Sequence, residues 1–315
     1  MTDYQFINKN IMLKRSILIE NKFTITTKNL QLVLKSALRE STIPIEDIGF
    51  LVLDHPETYI SIPALNLLIE NNAAIIICGQ NHLPNGLFLN LNSHHIQQEI
   101  FKNQINTSAP LKKQLWQQTI VEKIKNQGEL LTKITGSKYS FEFLASKVLS
   151  GDTTNMEGVA AQQYWKYFPQ PNLDIDGIKR ERYGNYPNNF LNYGYAILRA
   201  ATARALSGSG LLNTLGIHHK SKYNAFALAD DIMEPFRPLV DEKVYQIMVN
   251  YKEQELTTAI KAELLQVLTQ TVYFKDEKSP LMVALQKTAS SLQQCYAGGR
   301  KKIKYPKLWN LTDIE

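Results

Sequence analysis

The pattern of hydrophobic and polar positions changes once along the chain. Before about residue 92 it consists of short apolar or alternating runs separated by turn residues, which is typical of β-strands. The predicted strands are Lys14–Glu20, Lys22–Thr27, Leu30–Lys35, Ile48–Leu53, Ala74–Gly79 and Gly86–Leu91. One helix is expected among them, beginning near Ser61 with a proline in its first turn. The first part of the chain is therefore predicted to be mostly β.

After residue 93, apolar residues recur every three or four positions, which predicts amphipathic helices. The predicted helical segments are His94–Gln104, Leu111–Ile134, Ser140–Leu149, a helix opened by the polar cluster Asp152–Asn155, Phe190–Leu206, Lys243–Thr271 and Pro280–Gly298. The polar segment 172–189 is long enough to be a functional loop. The sequence thus predicts an α+β protein with a β-rich domain over residues 1–92 and a larger all-α domain over residues 93–315.

The overall composition is that of an ordinary globular protein, with 44% hydrophobic and 20% charged residues. The two cysteines, Cys78 and Cys295, are far apart, which supports neither a disulfide framework nor a zinc knuckle. The first ten residues lack the basic and apolar segments of a secretory signal, and the apolar run Ala73–Cys78 is too short to cross a bilayer. We therefore expect a cytoplasmic protein in a reducing compartment.

The formal net charge is +6, and it is unevenly distributed. Residues 1–100 contain seven Lys and Arg against nine Asp and Glu, which leaves 28 of the 35 basic and 20 of the 29 acidic residues for positions 101–315. A positive second part is expected if that part binds a polyanion such as DNA. The basic segment Arg300–Trp309 could clamp nucleic acid, or it could be a solubilising segment that is mobile at its end.

The densest group of candidate metal ligands lies late in the chain. His218 and His219 are followed, about a dozen residues later, by Asp230, Asp231 and Glu234. On a helix, either aspartate shares a face with Glu234, and the like charges repel unless a cation lies between them. A divalent metal would supply that cation, and ligands of this type leave Mg²⁺, Mn²⁺ and Zn²⁺ open. The alternative interpretation is a solvated acidic helix face that follows a loop.

A longer pattern is more specific than any of these parts. It runs from a helical glutamate through a long loop to a helix with Arg and Tyr, then Gly-Ile-His-His, then Asp-Asp-Ile-Met-Glu-Pro-Phe-Arg-Pro. The matching stretches are Glu157–Trp165, Asn189–Tyr195, Leu215–His219 and Leu228–Pro238. Over essentially the whole chain, the sequence resembles the CRISPR-associated integrase, the metal-dependent endonuclease that inserts new spacers into a CRISPR array. The last stretch looks closest to the type II systems, and the family has an N-terminal β domain and a C-terminal helical domain.

The resemblance implies that the catalytic residues are Glu157, His219, Glu234 and Asp231. Glu157 and Glu234 match the family's metal-binding acids, and Asp231 matches a further acid close to the metal, with the adjacent aspartate as its alternative. The family pattern selects His219 as the third ligand. Because adjacent side chains point apart, only one of His218 and His219 is expected to reach the ion. The implied cofactor is Mg²⁺ or Mn²⁺.

Lys220, Lys222 and Arg237 flank these residues and could bind the scissile phosphate, or they could be ordinary surface cations. The resemblance also implies partners, which are double-stranded prespacer DNA with 3′ ends, CRISPR repeat DNA, a second copy of the chain bound through the β domain, the small CRISPR-associated protein two, and other type II CRISPR proteins. The alternative functions are a catalytically silent DNA-binding or scaffold subunit and a phosphohydrolase of small nucleotides. For the phosphohydrolase, no nucleotide-binding Gly-rich loop is visible.

Overall fold

The computed structural model describes residues 4–6, 14–171, 175–182 and 184–310. It divides into two compact units, residues 1–95 and residues 96–315. The change of pattern in the sequence falls at residues 92–93, close to this division. None of the helices within the described residues is long and apolar enough to cross a membrane.

The first unit contains two β-sheets and one helix. Its elements are β1 (Tyr4–Phe6), β2 (Arg15–Ile19), β3 (Thr24–Lys28), β4 (Gln31–Lys35), β5 (Glu40–Pro44), β6 (Ile48–Leu53), β7 (Tyr59–Ile60), α1 (Ile62–Glu70), β8 (Ala74–Cys78) and β9 (Pro84–Phe88). A five-stranded sheet has the order β1-β2-β6-β8-β9, in which β2, β6 and β8 are parallel. A four-stranded sheet has the order β5-β4-β3-β7.

The two sheets and α1 share one apolar core. The strands β2 and β6 are buried over nearly their whole length, as expected for strands in the middle of a sheet. Side chains from both sheets, among them Ile17, Leu34 and Ile75, meet Leu68 of α1 in this core. The helix begins after Ser61, whose hydroxyl oxygen accepts a hydrogen bond from its first turn.

The six predicted strands and the predicted helix of this unit are confirmed, with strand ends shifted by at most three residues. The strand β5 was not predicted because Ile43 is the one buried residue in Glu-Ser-Thr-Ile-Pro, so its alternation is weak. The strands β1 and β7 were also missed, and β7 is only two residues long.

The second unit is mainly helical. Its helices are α2 (Gln97–Ile105), α3 (Ala109–Thr135), α4 (Phe141–Ser146), α5 (Met156–Tyr167), α6 (Asn188–Gly208), α7 (Ala227–Met233), α8 (Arg237–Asn250), α9 (Thr258–Leu265) and α10 (Leu281–Tyr296). A 3-10 turn, Glu234–Phe236, joins α7 to α8, and another, Gln266–Thr269, follows α9. The α+β class is confirmed, but this unit also has two short antiparallel pairs that the all-α prediction lacks. They are β10 (Pro169–Gln170) with β11 (Ile175–Asp176), and β12 (Thr271–Phe274) with β13 (Glu277–Pro280).

The long helix α3 forms one side of the site described below. It begins after Ser108, whose side chain caps the first turn, and it ends at Gly136, which has a φ of 70°. Its buried residues recur every three or four positions and include Trp116 and Lys123. A lysine on this buried face therefore points into the protein, unlike most lysines.

The helix α6 lies in the middle of the unit and is buried along most of its length. Gly194 is required where α6 crosses α8, because a Cβ at this position would overlap Cγ1 of Val240. The close crossing brings polar side chains from α6 next to those of α8. Part of the predicted loop 172–189, namely residues 172–174 and 183, lies outside the described residues.

The basic segment Arg300–Trp309 packs against the helical unit, which corrects the expectation that it is mobile at its end. Tyr273 and Lys307 exchange two backbone hydrogen bonds, both of 2.8 Å. Trp309 Nε1 donates a hydrogen bond of 2.7 Å to Glu242 Oε2, on α8. This segment therefore links β12 to α8, because it forms hydrogen bonds with both.

Candidate active site

Two glutamates from different helical segments meet at one lysine. Lys123 Nζ, on α3, donates a hydrogen bond of 2.6 Å to Glu157 Oε1, on α5. The same nitrogen lies 2.5 Å from Glu234 Oε2, in the turn between α7 and α8. The fold thus brings together two of the predicted metal ligands, and it joins them through a cation that the sequence analysis did not identify.

The start of α5 positions Glu157. Asp152 accepts hydrogen bonds from the backbone nitrogens of Met156 and Glu157, at 2.9 and 3.0 Å. Asn155 Oδ1 accepts a further one from Gly158 N at 3.2 Å. These two caps satisfy backbone donors that a helix start leaves free, so they fix where Glu157 leaves the helix.

Glu234 is a buried carboxylate held in its charged form. Its side chain is 5% exposed, and Arg237 Nε lies 2.8 Å from Oε1. Burial by itself would raise the pKa of Glu234, but Arg237 and Lys123 outweigh it and hold the pKa at about 2. The contact of 2.5 Å between Glu234 Oε2 and Lys123 Nζ is a close buried ion pair, so the lysine is the charged partner of this oxygen.

The two cations of this cluster, Lys123 and Arg237, are also largely buried. The side chain of Lys123 is 11% exposed. Burial lowers its pKa, but Glu234 and Glu157 raise it more, so the net shift is upward. Arg237 lies with its guanidinium 4.5 Å from the centre of the Tyr195 ring. The four charged groups therefore form a compact cluster of two carboxylates and two cations.

The two adjacent histidines have different partners. His219 Nδ1 lies 2.6 Å from Asp231 Oδ1, and this hydrogen bond raises the pKa of His219 against the effect of partial burial. The ring of His218 instead stacks on Trp116, with centroids 4.3 Å apart and planes at 3°. Because Nδ1 of His219 is engaged, Nε2 is the nitrogen left for a ligand, which favours His219 over His218 as the metal-binding residue.

Asp231 is completely buried and organises the histidine loop. Its Oδ2 accepts hydrogen bonds from the backbone nitrogens of Ile217 and His218, at 2.5 and 2.9 Å. Gly216 is needed here because a Cβ would lie 2.8 Å from Asp231 Oδ2. Asp231 was predicted to be one of the catalytic residues, whereas these contacts favour a role in positioning His219.

Asp230, the alternative acid, is bound by other residues. Arg199 contacts both of its oxygens, with Nε to Oδ1 at 2.6 Å and Nη2 to Oδ2 at 3.0 Å. Asn224 Nδ2 donates a further hydrogen bond of 2.8 Å to Oδ2. This bidentate pair gives Asp230 a structural partner of its own.

The three predicted DNA-binding cations differ in their surroundings. Lys220 and Lys222 are exposed and follow His219 on the loop, where they could meet a phosphate. Arg237 is instead paired with Glu234, and its side chain is 25% exposed. Its position suggests that it keeps Glu234 ionised rather than binding DNA as a free surface cation.

Across the described ranges, no group of three or more His, Cys, Asp and Glu side chains is arranged to hold a metal ion. Glu157, Glu234 and His219 are therefore not assembled around one point. One observation still fits a metal: a cation already lies between the two glutamates. Two carboxylates and an imidazole also suit Mg²⁺ or Mn²⁺.

Lys123 was not predicted as a site residue, although the sequence contains a signal for it. The residue lies in the apolar stripe of α3, close to Ile120 and Ile124. A charged residue at a position that should face the core normally has a buried partner of opposite charge. The stripe could therefore have predicted a buried ion pair, but it could not have identified the glutamates as partners.

Known proteins share both the sequence pattern and the fold. A family model described as CRISPR associated protein Cas1 matches residues 17–271. The CRISPR-associated endonuclease Cas1 of Neisseria meningitidis is 36% identical over 307 residues, which cover 96% of this chain and 98% of the relative. A second relative, an endonuclease Cas1 of Francisella tularensis subsp. novicida, is 27% identical over 57% of this chain and 63% of its own length.

Three solved structures have the same fold. A casposase bound to integration product has a TM-score of 0.76 at 18% identity, covering 92% of both chains. A Cas1 protein from Thermotoga maritima has a TM-score of 0.70 at 16% identity, covering 90% of this chain and 97% of the other. A Cas6-RT-Cas1–Cas2 complex has a TM-score of 0.70 at 19% identity, covering 93% of this chain and 36% of the matched one.

Proposed function

The chain belongs to the Cas1 family of CRISPR-associated proteins, and from this we propose that it is a DNA endonuclease and integrase that inserts new spacers into a CRISPR array. The observation that carries the proposal is the meeting of Glu157 and Glu234 at one cation. The chain is 36% identical to a Cas1 endonuclease over nearly its full length. In such a protein, two glutamates that meet at one cation are suited to phosphodiester chemistry.

We propose that Glu157, Glu234 and Nε2 of His219 hold one or more Mg²⁺ or Mn²⁺ ions. Such an ion, when bound, neutralises the nonbridging oxygens of a phosphate and aligns the attacking oxygen with the leaving oxygen. Arg237 keeps Glu234 ionised, because it lowers the pKa of that carboxyl. Asp231 binds Nδ1 of His219 and so leaves the other ring nitrogen, Nε2, for a ligand.

The integration step needs no covalent nucleophile from the protein. The 3′ hydroxyl of the incoming DNA attacks a phosphodiester of the repeat, forming a new P–O bond while the bond to the repeat's own 3′ oxygen breaks. The attacking hydroxyl loses a proton and the leaving oxygen gains one. Lys220 and Lys222, exposed beside His219, are suited to bind the phosphates that flank the reacting one.

We further propose the partners that this reaction requires. The substrates are prespacer DNA with 3′ ends and CRISPR repeat DNA, and the protein partner is the small CRISPR-associated protein two. The solved complex that contains Cas1 and Cas2, and the casposase bound to integration product, support both proposals by analogy of fold. We also propose a homodimer formed through the β-rich unit, in which the apolar side chains of Leu38, Ile62 and Leu91 are exposed.

The test is strand transfer of a prespacer into a supercoiled plasmid that carries a CRISPR repeat, with CRISPR-associated protein two present. Glu157→Ala and Glu234→Ala should each reduce the product by about a thousandfold while DNA binding remains, because they remove ligands and not DNA contacts. Glu142→Ala, which removes an exposed acid 76% accessible at its side chain, is the control and should retain activity. Unchanged product in both site variants would contradict the proposed site. A wild-type protein that binds DNA without forming product would support the silent scaffold instead.

A further inference from the structure

The lysine at the centre of the site has a function of its own. We propose that Lys123 is a positioning residue that occupies the cation position between Glu157 and Glu234 in the free protein and leaves that position when a divalent ion binds. The inference rests on the proposed metal-dependent function and extends it. Metal binding then replaces one cation with another, so Lys123 both preserves the site and limits its affinity for metal.

The contacts of Lys123 resemble those of a bridging ion. One nitrogen contacts one oxygen of each glutamate, at 2.6 and 2.5 Å. The side chains of Glu157 and Glu234 are 26% and 5% exposed, so water screens their mutual repulsion poorly. Without a cation between them, the two carboxylates would repel each other and separate. Lys123 therefore keeps both ligands together.

The balance of charge shows why Lys123 has to leave. Glu157 and Glu234 are already matched by Lys123 and Arg237, so a divalent ion added to the cluster would leave it with two excess positive charges. Moving Lys123 away from the carboxylates relieves part of this excess. It also frees Glu157 Oε1 and Glu234 Oε2, the two oxygens that the lysine now contacts.

Of the two cations, Lys123 is the one able to move. Arg237 is bound to Glu234 Oε1 and stacks over the ring of Tyr195, and its planar group has few other orientations. Lys123 has a flexible four-carbon chain, and Arg237 remains bound to Glu234 when the lysine leaves. The movement of Lys123 breaks its hydrogen bond to Glu157 and its ion pair with Glu234.

The helix that bears Lys123 holds the other parts of the site in place when the lysine moves. Asn126, three residues further along α3, donates a hydrogen bond of 2.7 Å to the backbone oxygen of Pro235, next to Glu234. Trp116, two turns earlier on the same buried face, stacks on His218 in the histidine loop. Both contacts are independent of the lysine side chain, so the framework of the site persists after the exchange.

The experiment compares Lys123→Met with Lys125→Met in metal-stripped full-length protein. Lys125 lies on the same helix, but it is 37% exposed and pairs loosely with Glu142 at 3.7 Å. Thermal unfolding is measured without metal, and Mn²⁺ binding is measured by calorimetry and by the electron paramagnetic resonance signal of free Mn²⁺. Lys123→Met should lower the unfolding temperature and tighten Mn²⁺ binding by about tenfold, since the ion no longer displaces an ammonium group. Lys125→Met should change neither quantity.

Tighter binding by a less stable variant separates this role from a merely structural one. Mn²⁺ binding by Lys123→Met that is equal to or weaker than that of the wild type would overturn the inference. A different result would show that the proposed metal-dependent function is wrong. In that case the wild type would bind no Mn²⁺, or Glu157→Gln would bind it as tightly as the wild type.

Should Lys123→Met fail to fold, the double variant Lys123→Met with Glu157→Gln keeps the inference testable. It removes one positive and one negative charge together, and Glu234 retains Arg237. The double variant should unfold at a higher temperature than Lys123→Met alone. No recovery would overturn the claim that Lys123 stabilises the free protein by neutralising the glutamate pair.

Discussion

Two buried carboxylates, Glu234 and Asp241, lie two helical turns apart and have opposite surroundings. Glu234 is bound by Lys123 and Arg237, and its pKa is held at about 2. Asp241 accepts hydrogen bonds from the hydroxyls of Tyr164, at 2.8 Å, and Tyr195. Burial raises the pKa of Asp241 to about 6, because these neutral donors lower it only in part.

The difference between the two shows that burial alone does not identify a catalytic acid. Both oxygens of Asp241 are occupied by tyrosine hydroxyls, which cross-link α5, α6 and α8. Glu234 is bound by cations, and cations can exchange with a metal ion. Arg237 lies between the two environments, since it pairs with Glu234 and stacks over Tyr195. We therefore infer a chemical role for Glu234 and a structural one for Asp241.

The largest expected effect comes from neutralising each carboxylate separately. Glu234→Gln should lower strand transfer by about a thousandfold, roughly 4 kcal/mol of activation free energy, because it removes the charge that binds metal. Asp241→Asn should keep strand transfer within about tenfold, because this carboxylate is bonded to two tyrosine hydroxyls and not to the cations of the site. Strand-transfer assays check both results. An equal loss of activity in the two variants would remove the distinction.

The pH dependence of stability should also separate the two groups. The lowered pKa of Glu234 stabilises the folded state above pH 4.5, by about 3 kcal/mol, and this contribution is lost as the pH falls toward 2. The raised pKa of Asp241 acts in the opposite direction: it destabilises the folded state by about 3 kcal/mol above pH 6, and the effect disappears as the pH falls below 4.

Urea unfolding of metal-free protein from pH 2 to pH 7 measures both contributions. Glu234→Gln should reduce the loss of stability below pH 4.5 by about 3 kcal/mol, and Asp241→Asn should remove the gain of about 3 kcal/mol between pH 6 and pH 4. If both variants follow the wild-type curve, other groups determine the pH dependence and the assigned environments are wrong.

A smaller effect is expected from the acid that holds the histidine. Asp231→Asn should weaken Mn²⁺ binding by about 10- to 100-fold, because the carboxylate fixes the ring of His219. Asp230→Asn is a matched control, since this neighbouring acid binds Arg199 instead. Calorimetric titration with Mn²⁺ gives both values. A control variant that loses as much affinity would show that the loop needs both acids.

The smallest effect is expected at the exposed lysines. Lys220→Ala and Lys222→Ala should each weaken DNA binding several-fold and reduce the slope of log affinity against log salt by about 0.7 to 0.9. Lys28→Ala, in the β-rich unit, should leave the slope unchanged. Binding to a fluorescent duplex at several salt concentrations measures this. An unchanged slope in the loop variants would assign the phosphate contacts to other residues.

Much of the fold was predictable from the sequence because strands and helices have different spacings of hydrophobic residues along the chain. The strands β2 and β6 have continuous apolar runs, and α3 and α6 have long stripes. The strands β5 and β13 were not predictable in this way, because each has one buried side chain. The strand β12 does alternate, with Val272 and Phe274 buried, but it is only four residues long. Which strands pair with each other also depends on residues that are far apart in the chain.

The candidate site was predictable in its residue types but not in its connections. Glu157, His219 and Glu234 came from a family pattern, which carries no information on Lys123. The different roles of Asp230 and Asp231 depend on the direction of each side chain, one toward Arg199 and one toward the histidine loop. The sequence alone does not distinguish the roles of two adjacent aspartates, because each role depends on the hydrogen-bond donors that the side chain contacts.

The most direct test of the central claim is anomalous scattering from crystals of the protein soaked in Mn²⁺. We expect a peak coordinated by Glu157, Glu234 and Nε2 of His219, with Lys123 Nζ moved out from between the two carboxylates. The absence of a peak there, with the lysine still bridging both glutamates at saturating Mn²⁺, would contradict it.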